Sequence, residues 1–203
     1  MAFEEVGKKR YKIDQTADGT IISIPSRKNW FIILFIGFWL IGWAVGEISV
    51  IGILSAGVIK VLNNGIPEIS KSGPGAFGGL FLFAWLGGWT VGGVFAIYAW
   101  LWQVKGIERI SISYNAFIVE KIVPIWKRKK EYHLKDMVAL RLSHSSPSFF
   151  TMSGSMEFWG MSGGRLAFDY GAKTVQFGSG IDEAEAKFLI KDIENKYPKI
   201  IKK

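Results

Sequence analysis

The side chains that carry out most catalysis and metal binding are scarce in this sequence. His133 and His144 are the only histidines; the first alternates within a predicted strand, and the second lies in a serine-rich segment. Neither has the spaced partners that a metal site or a catalytic triad requires. The chain has 0 Cys, which excludes a disulfide framework, a thiolate metal site and a cysteine nucleophile. The sequence therefore favours a protein that is not an enzyme, and we expect no metal and no cofactor.

A short glycine-containing segment, Gly178-Ser179-Gly180, lies between a predicted strand and a predicted helix. It superficially resembles the phosphate-binding turn of dinucleotide-binding proteins. The full pattern contains a further glycine and lies in a parallel βαβ unit, and both features are missing here. We therefore interpret the segment as a turn that caps the helix.

Glu47 is the one ionisable residue within two long apolar segments. A carboxyl group at membrane depth can serve as a proton or cation site, or as a polar anchor for another subunit. It can also simply reach the outer headgroups. We prefer the headgroup interpretation, because the second apolar segment has no basic residue that would pair with Glu47.

Two segments of the C-terminal half suggest binding. The basic run, defined as Lys127, Arg128, Lys129 and Lys130, suits anionic headgroups, where each basic residue contributes about 1 kcal/mol. It is equally typical of a solvated strand edge that helps to set membrane topology. The segment from Ser145 to Gly164 carries large apolar residues among serine and glycine: Phe149, Phe150, Met152, Met156, Phe158, Trp159 and Met161. This segment predicts a partner surface or a membrane-dipping loop, or a loop that folds over its own domain.

The elements that position these residues begin with a strongly apolar middle third. Hydrophobic residues make up 49% of the 203 residues, and the excess lies between Trp30 and Trp102. The first apolar segment continues past Glu47 to Leu54, and the second, from Phe77 to Trp102, contains no charge. Because about 20 apolar residues cross the hydrocarbon core, we predict two membrane-spanning helices that form a hairpin.

Lysine and arginine flank this hairpin and carry the formal charge of +8. Lys8, Lys9, Arg10, Lys12, Arg27 and Lys28 precede it, and Lys105, Arg109, Lys121 and the basic run follow it. The intervening loop has only Lys60 and Lys71. The positive-inside rule therefore predicts a protein of the cytoplasmic membrane with both termini in the cytoplasm, and with Trp30, Trp100 and Trp102 in the inner aromatic belt.

The two apolar segments resemble each other at an offset of 46 residues, as in Trp39 with Trp85 and Trp43 with Trp89. Such a repeat in antiparallel helices predicts a pseudo-two-fold axis in the membrane plane, unless both helices merely share a packing rule. Each copy contains a Gly-x-x-x-Gly pair, which permits close helix packing. The four glycines are Gly42, Gly46, Gly88 and Gly92. Centring the two spans together predicts that Gly42 lies opposite Gly88.

After Gly106 the apolar residues alternate with a period of two, which indicates strands. Predicted strands are Ile107 to Ser113, Phe117 to Val123, Lys127 to His133, Val138 to Ser143, Arg165 to Tyr170 and Thr174 to Phe177. A helix follows, with Asp182 as N-cap, Glu185 completing a capping box, and an apolar stripe at Phe188, Leu189, Ile193 and Tyr197.

Two further strands, Arg10 to Asp14 and Thr20 to Ile24, precede the membrane segments. An isolated two-stranded hairpin is marginal in water. We therefore expect them to join the C-terminal sheet and to bury Ile13, Ile22 and Ile24.

The chain resembles the bacterial pleckstrin-homology-like membrane proteins. The resemblance is carried by Ile110 to Glu120, the basic run, Tyr132 to Met137, Arg165 to Tyr170, the closing helix and the pre-membrane segment Ile22 to Trp30. It implies a bent pair of antiparallel sheets closed by a helix, used for binding proteins or lipids and without catalytic residues. The expected fold class is thus membrane α plus β, with N-terminal strands in 1–29, a transmembrane hairpin in 30–102 and a PH-like cytoplasmic domain in 103–203.

These features predict a non-enzymatic, membrane-anchored binding or scaffolding protein. Its expected partners are membrane lipids and the other subunits of a larger membrane complex, or further copies of itself, but no nucleic acid. An anionic-lipid-sensing protein and an oligomeric transporter component that uses Glu47 are the alternatives.

Overall fold

A computed structural model describes residues 9–65, 73–143 and 163–197. The chain divides into two compact units. One is helical and comprises Trp30–Trp100, and the other combines Met1–Asn29 with Leu101–Lys203. We call them the helical unit and the β unit.

Helix α1 spans Trp30–Asn64 and helix α2 spans Gly73–Lys105, and both are long and apolar enough to cross a membrane. Gly65, with a positive φ of 75°, ends α1 in the left-handed conformation that favours glycine. Its amide donates to the carbonyl oxygen of Val61 at 2.9 Å. Most large apolar side chains of both helices are exposed, for example Phe38 at 81%.

The two helices meet through tryptophans. The indole N–H of Trp43 donates to the carbonyl oxygen of Trp89 at 3.1 Å, and that of Trp100 donates to the carbonyl oxygen of Ile33 at 3.0 Å. Gly93 lies under the ring of Trp43, and a Cβ there would collide with the ring. A Cβ on Gly37 would lie 3.3 Å from Nε1 of Trp100.

The predicted packing of the Gly-x-x-x-Gly pairs is wrong. A Cβ added to Gly42, Gly46, Gly88 or Gly92 would meet no atom within 4 Å. The indole rings fill the space between the helices, so the glycines that matter are those beneath the rings. Small residues permit close approach only on the face that the neighbouring helix occupies.

Within its described residues, the β unit has eight strands in two antiparallel sheets. β1 (Lys12–Thr16), β2 (Gly19–Pro25), β3 (Ile107–Ser113), β4 (Ala116–Val123) and β5 (Trp126–His133) form the first sheet in that order. β6 (Met137–Leu142), β7 (Leu166–Tyr170) and β8 (Lys173–Phe177) form the second. Helix α3 (Glu183–Lys196) closes the unit. Every strand predicted after Gly106 is present, with bounds that differ from the predicted ones by at most one residue.

The pre-helix strands are part of the first sheet. β2 pairs with β3, with Ile22 opposite Ile110, so the sheet is built from both ends of the chain as predicted. Ile22 and Ile24 are buried, but Ile13 is 37% exposed, and its predicted burial is wrong. Ile13 lies on the edge strand and lines an open groove of about 280 Å³ beside α3.

The core of the β unit lies between the two sheets and α3. Phe117 contacts Phe168 and Phe177 edge-on, with ring centroids 5.3 Å apart in each case. Asp182 and Glu185 form the predicted capping box. The buried stripe of α3 consists of Ala186, Leu189 and Ile193. Phe188, predicted to belong to this stripe, is 40% exposed because it lies on the adjoining side of the helix.

Candidate functional site

The basic run lies on β5, which is an edge strand, and all four of its side chains are exposed. Successive side chains of a strand point to opposite faces. Lys127 and Lys129 share one face and have carboxylate partners: Lys127 Nζ lies 2.9 Å from Glu120, and Lys129 Nζ lies 3.0 Å from Glu131. Arg128 and Lys130 share the other face and pair with no carboxylate among the described residues. The run is therefore two pairs with different environments.

Glu120 explains part of this difference. Its carboxylate is buried, with oxygen atoms 2.9 Å from Lys127 Nζ and 3.9 Å from a guanidinium nitrogen of Arg109. These three residues come from neighbouring strands β3, β4 and β5. The Glu120 carboxylate thus offsets much of the positive charge on one face of the sheet. On the other face, Arg128 lies in one row with Lys121 and Glu108, and the Glu108 carboxylate accepts hydrogen bonds from the backbone amides of Gly178 and Ser179.

The turn between β4 and β5 presents two large apolar side chains. Pro124 and Ile125 form a two-residue turn, Ile125 is 75% exposed, and Trp126 directly after it is 63% exposed. Ile125 and Trp126 fall between the predicted strands Phe117 to Val123 and Lys127 to His133, and the sequence analysis assigned them no role. Two large apolar residues at a tight turn, followed by four basic ones, would have been the signal.

The end of α2 belongs to the β unit and is tied to the entry segment of α1. Ser26 N donates to the carbonyl oxygen of Gly106 at 2.9 Å, and Asn29 N donates to Oε1 of Gln103 at 3.3 Å. Trp102 is buried at 1% exposure, with Nζ of Lys121 5.4 Å from its ring centroid. Its predicted place in an aromatic belt is wrong, because its ring packs inside the β unit.

Of the other two tryptophans predicted in the belt, Trp30 is exposed, and Trp100 is half-buried with its indole N–H bonded to Ile33. Trp30 is thus the most exposed of the three.

Glu47 faces the second helix. It is 9% exposed, its Oε1 accepts a hydrogen bond from the Thr90 hydroxyl, and its Oε2 is buried without a hydrogen-bond partner among the described residues. The headgroup interpretation is therefore wrong. Sequence reasoning considered only basic partners and missed the hydroxyl of Thr90.

An apolar groove of about 390 Å³ runs between the helices on the same faces as the Glu47 pair. Its lining includes Ile51, four residues after Glu47, and Leu86, four residues before Thr90. Residues four apart share one face of a helix, so this groove continues the cleft in which Glu47 and Thr90 meet.

A further buried carboxylate, that of Glu108, accounts for the glycine-containing turn. Glu108 Oε2 accepts from the backbone amides of Gly178 and Ser179 at 3.1 and 2.8 Å, and from the Ser179 hydroxyl at 3.0 Å. Gly178 has a positive φ of 79°, and a Cβ on Gly180 would collide with the carbonyl oxygen of Pro25. The amides that would bind a phosphate thus bind the protein's own carboxylate, which supports the structural interpretation of this turn.

The groove beside α3 holds the polar contacts that join the N-terminus to the helix. The Tyr11 hydroxyl donates to Asp192 at 3.4 Å, and the hydroxyls of Thr20 and Tyr197 are 2.9 Å apart. Burial, followed by the negative charge of Asp192, raises the pKa of Tyr11 to about 12.

The remaining candidate residues from the sequence are either outside the described residues or exposed. Phe149, Phe150, Phe158 and Trp159, as well as His144, lie outside the described residues. His133 is exposed at the end of β5. In the parts of the chain that the structure describes, no three His, Cys, Asp or Glu residues are grouped to hold a metal.

No family model, curated protein or solved structure matches this chain.

Proposed function

We propose that the chain is a non-enzymatic, membrane-anchored binding or scaffolding protein, with α1 and α2 crossing the bilayer and the β unit in the cytoplasm. The exposed apolar surface of the helices carries this proposal. Phe38, Phe77 and Leu62 are each about four-fifths exposed, and soluble proteins rarely leave such contiguous apolar surface in water. Lipid would bury it.

The helix lengths agree with a membrane location. At the usual rise per residue, the 35 residues of α1 and the 33 of α2 are each about 50 Å long, against a hydrocarbon core of about 30 Å. The excess suits tilted helices whose ends reach through the headgroup layer. The distribution of Lys and Arg supports cytoplasmic termini.

The β unit supports the binding role. Two antiparallel sheets closed by a C-terminal helix fit the PH-like resemblance, and that fold is used in general for binding proteins or lipids. Its buried carboxylates already have structural tasks: Glu108 holds the turn before α3, and Glu185 caps α3. Surfaces available to partners include the edge strands β1 and β5 and the groove beside α3.

Two features of the helical unit support a role as an accessory subunit of a larger membrane complex. The buried Oε2 of Glu47 has no hydrogen-bond partner among the described residues, and the adjoining groove is apolar. A further helix, from a partner subunit or a second copy, would fill the groove, and a donor on it would satisfy the carboxyl oxygen.

Extraction of the full chain from membranes tests the proposal. The chain should remain in the membrane pellet at alkaline pH and leave it only with detergent. Gentle detergent should then release it together with other membrane proteins or as an oligomer. Recovery in the alkaline supernatant would contradict the membrane-spanning role, and a lone monomer in several mild detergents would contradict the accessory role.

A further inference from the structure

We propose that the turn between β4 and β5 is a membrane-docking tip, in which Ile125 and Trp126 enter the headgroup layer of the protein's own bilayer and Arg128 binds its anionic lipids. This inference rests on the proposed membrane-spanning role and adds a second, peripheral contact between the β unit and lipid. The tip is defined by Pro124, Ile125 and Trp126.

The chemistry of the tip suits an interface between water and lipid. Ile125 and Trp126 are 75% and 63% exposed, so most of their apolar surface is free to enter the bilayer. Tryptophan has an apolar ring with one polar N–H, and it is enriched where hydrocarbon meets headgroups. A tight turn brings both side chains to the end of the hairpin, where they are exposed among the described residues.

The register of the sheet places the tip at the end of the β unit where the chain enters α1 and returns from α2. Pro25 of β2, Ile107 of β3 and Ile122 of β4 form one row across the sheet. The chain enters α1 shortly after Pro25 and returns from α2 at Lys105, just before Ile107. Both connections to the helices therefore leave the sheet at this row.

The tip extends past that row on the same side as the two connections. Ile107 and Ile122 belong to adjacent strands, so the β4–β5 hairpin lies within about 10 Å of the point where α2 joins. The turn reaches about 7 Å beyond the row. The tip therefore lies at the end of the β unit where the chain leads into α1 and returns from α2.

The positive charge beside the tip favours an anionic bilayer surface as its binding partner. Among the four residues of the basic run, Arg128 and Lys130 have no carboxylate partner within residues 9–65, 73–143 and 163–197, and Arg128 is only two residues from Trp126. Lys121 lies directly across from Arg128 on β4, and Glu108, the next residue in that row, is already bound by the amides and hydroxyl of the turn at Gly178 and Ser179. Lys130 is about 7 Å farther from the tip, so Arg128 should contribute more.

The absence of cysteine from the chain permits a direct depth measurement. A spin label would be attached to Ile125→Cys in the full chain, with one chain per nanodisc, and collisions with oxygen and with a water-soluble nickel chelate would be measured by electron paramagnetic resonance. Tyr114→Cys is the matched control, because Tyr114 is 93% exposed at the turn at the opposite end of the β3–β4 pair. Phe38→Cys reports whether α1 is in the bilayer.

In discs that contain phosphatidylglycerol, the label at residue 125 should collide with nickel several-fold less often than the label at residue 114. A label at residue 125 that is as nickel-accessible as the one at 114, while the label at 38 is in lipid, would overturn the inference and leave the membrane-spanning role intact. Nickel access at residue 38 would instead overturn the membrane-spanning role, and the inference with it.

Changes of side-chain charge and of lipid composition test whether Arg128 binds anionic lipid. Arg128→Gln should raise the nickel accessibility of residue 125 towards that of residue 114. Lys129→Gln removes the same charge from the opposite, carboxylate-paired face and should leave it nearly unchanged. Equal protection in discs of phosphatidylcholine alone, or equal effects of the two substitutions, would overturn the anionic-lipid part of the inference.

Discussion

The indole of Trp43 donates a hydrogen bond to the backbone carbonyl oxygen of Trp89 at 3.1 Å, and the two residues are 46 positions apart, the offset of the sequence repeat. Equivalent residues of the two copies thus contact each other. The contact joins the antiparallel helices through a large ring, which keeps their backbones apart at this level. The helix pair is organised by tryptophans and by the glycines beneath them.

This arrangement predicts a difference between two glycines of α1 and α2. Gly93→Ala should lower the free energy of unfolding by about 1–3 kcal/mol, because its methyl group would overlap the Trp43 ring and force the helices apart. Gly42→Ala should be neutral or slightly stabilising, since a Cβ there meets nothing within 4 Å. Thermal unfolding in detergent measures both. Equal destabilisation by the two substitutions would indicate that Gly42 also packs against the neighbouring helix, and would contradict this account.

The buried pair between the helices predicts a second contrast. Thr90→Val removes the hydrogen bond to Glu47 and should cost about 1–3 kcal/mol, because it leaves a buried carboxyl group without a partner. Thr90→Ser keeps the hydroxyl and should retain most of the stability. Ser49→Ala, which removes only a bond to the helix backbone on an exposed face, is the control. A Thr90→Val protein as stable as the Thr90→Ser protein would show that the pair contributes nothing.

Tyr11 predicts a loss of stability at alkaline pH. Its pKa is raised from 10.0 to about 12 in the folded protein, chiefly by burial and then by Asp192. The unfolded chain therefore loses this proton at lower pH than the folded protein, so the stabilising contribution is complete below pH 10 and falls between pH 10 and about 12. The difference in unfolding midpoint between the native protein and Tyr11→Phe should change across this window. A difference that is constant from pH 9 to 12 would contradict the assignment.

The split sheet predicts how the β unit tolerates dissection. A chain that begins at Lys105 lacks β1 and β2, so it exposes the edge of β3 and uncovers Ile110 and Ile112. It should aggregate or unfold more readily than a chain in which residues 8–26 are joined to residue 105 by a flexible linker. Within the joined chain, Ile24→Ser should cost about 2–4 kcal/mol and Ile13→Ser much less, as their burial differs. Equal solubility and stability of the two chains would contradict the pairing of β2 with β3 in solution.

The strands and the closing helix were predictable because their signals are local. Alternation with a period of two defines the strands, and Asp182 with Glu185 marks the start of α3 without reference to any other element. The pairing of the N-terminal strands followed from a physical need, since two isolated strands cannot bury Ile22 and Ile24.

The failures concern features that depend on rotation and tertiary packing. Hydropathy gives the length of α1 but not the face that it turns to α2, so it could not show that Gly93 rather than Gly42 lies under an indole. The burial of Trp102 depends on a sheet that lies elsewhere in the sequence. The division of the basic run depends on Glu120 of the neighbouring strand, and a search along one segment does not find such partners.

The most direct test of the central claim is the sidedness of the chain in the membrane. Single cysteines would be introduced by Ser72→Cys, between the two apolar segments, and by Lys202→Cys, in the C-terminal tail. The predicted topology requires an impermeant maleimide to label only Ser72→Cys in intact cells, and Lys202→Cys only after permeabilisation. Labelling of Lys202→Cys in intact cells would contradict a membrane hairpin with a cytoplasmic β unit.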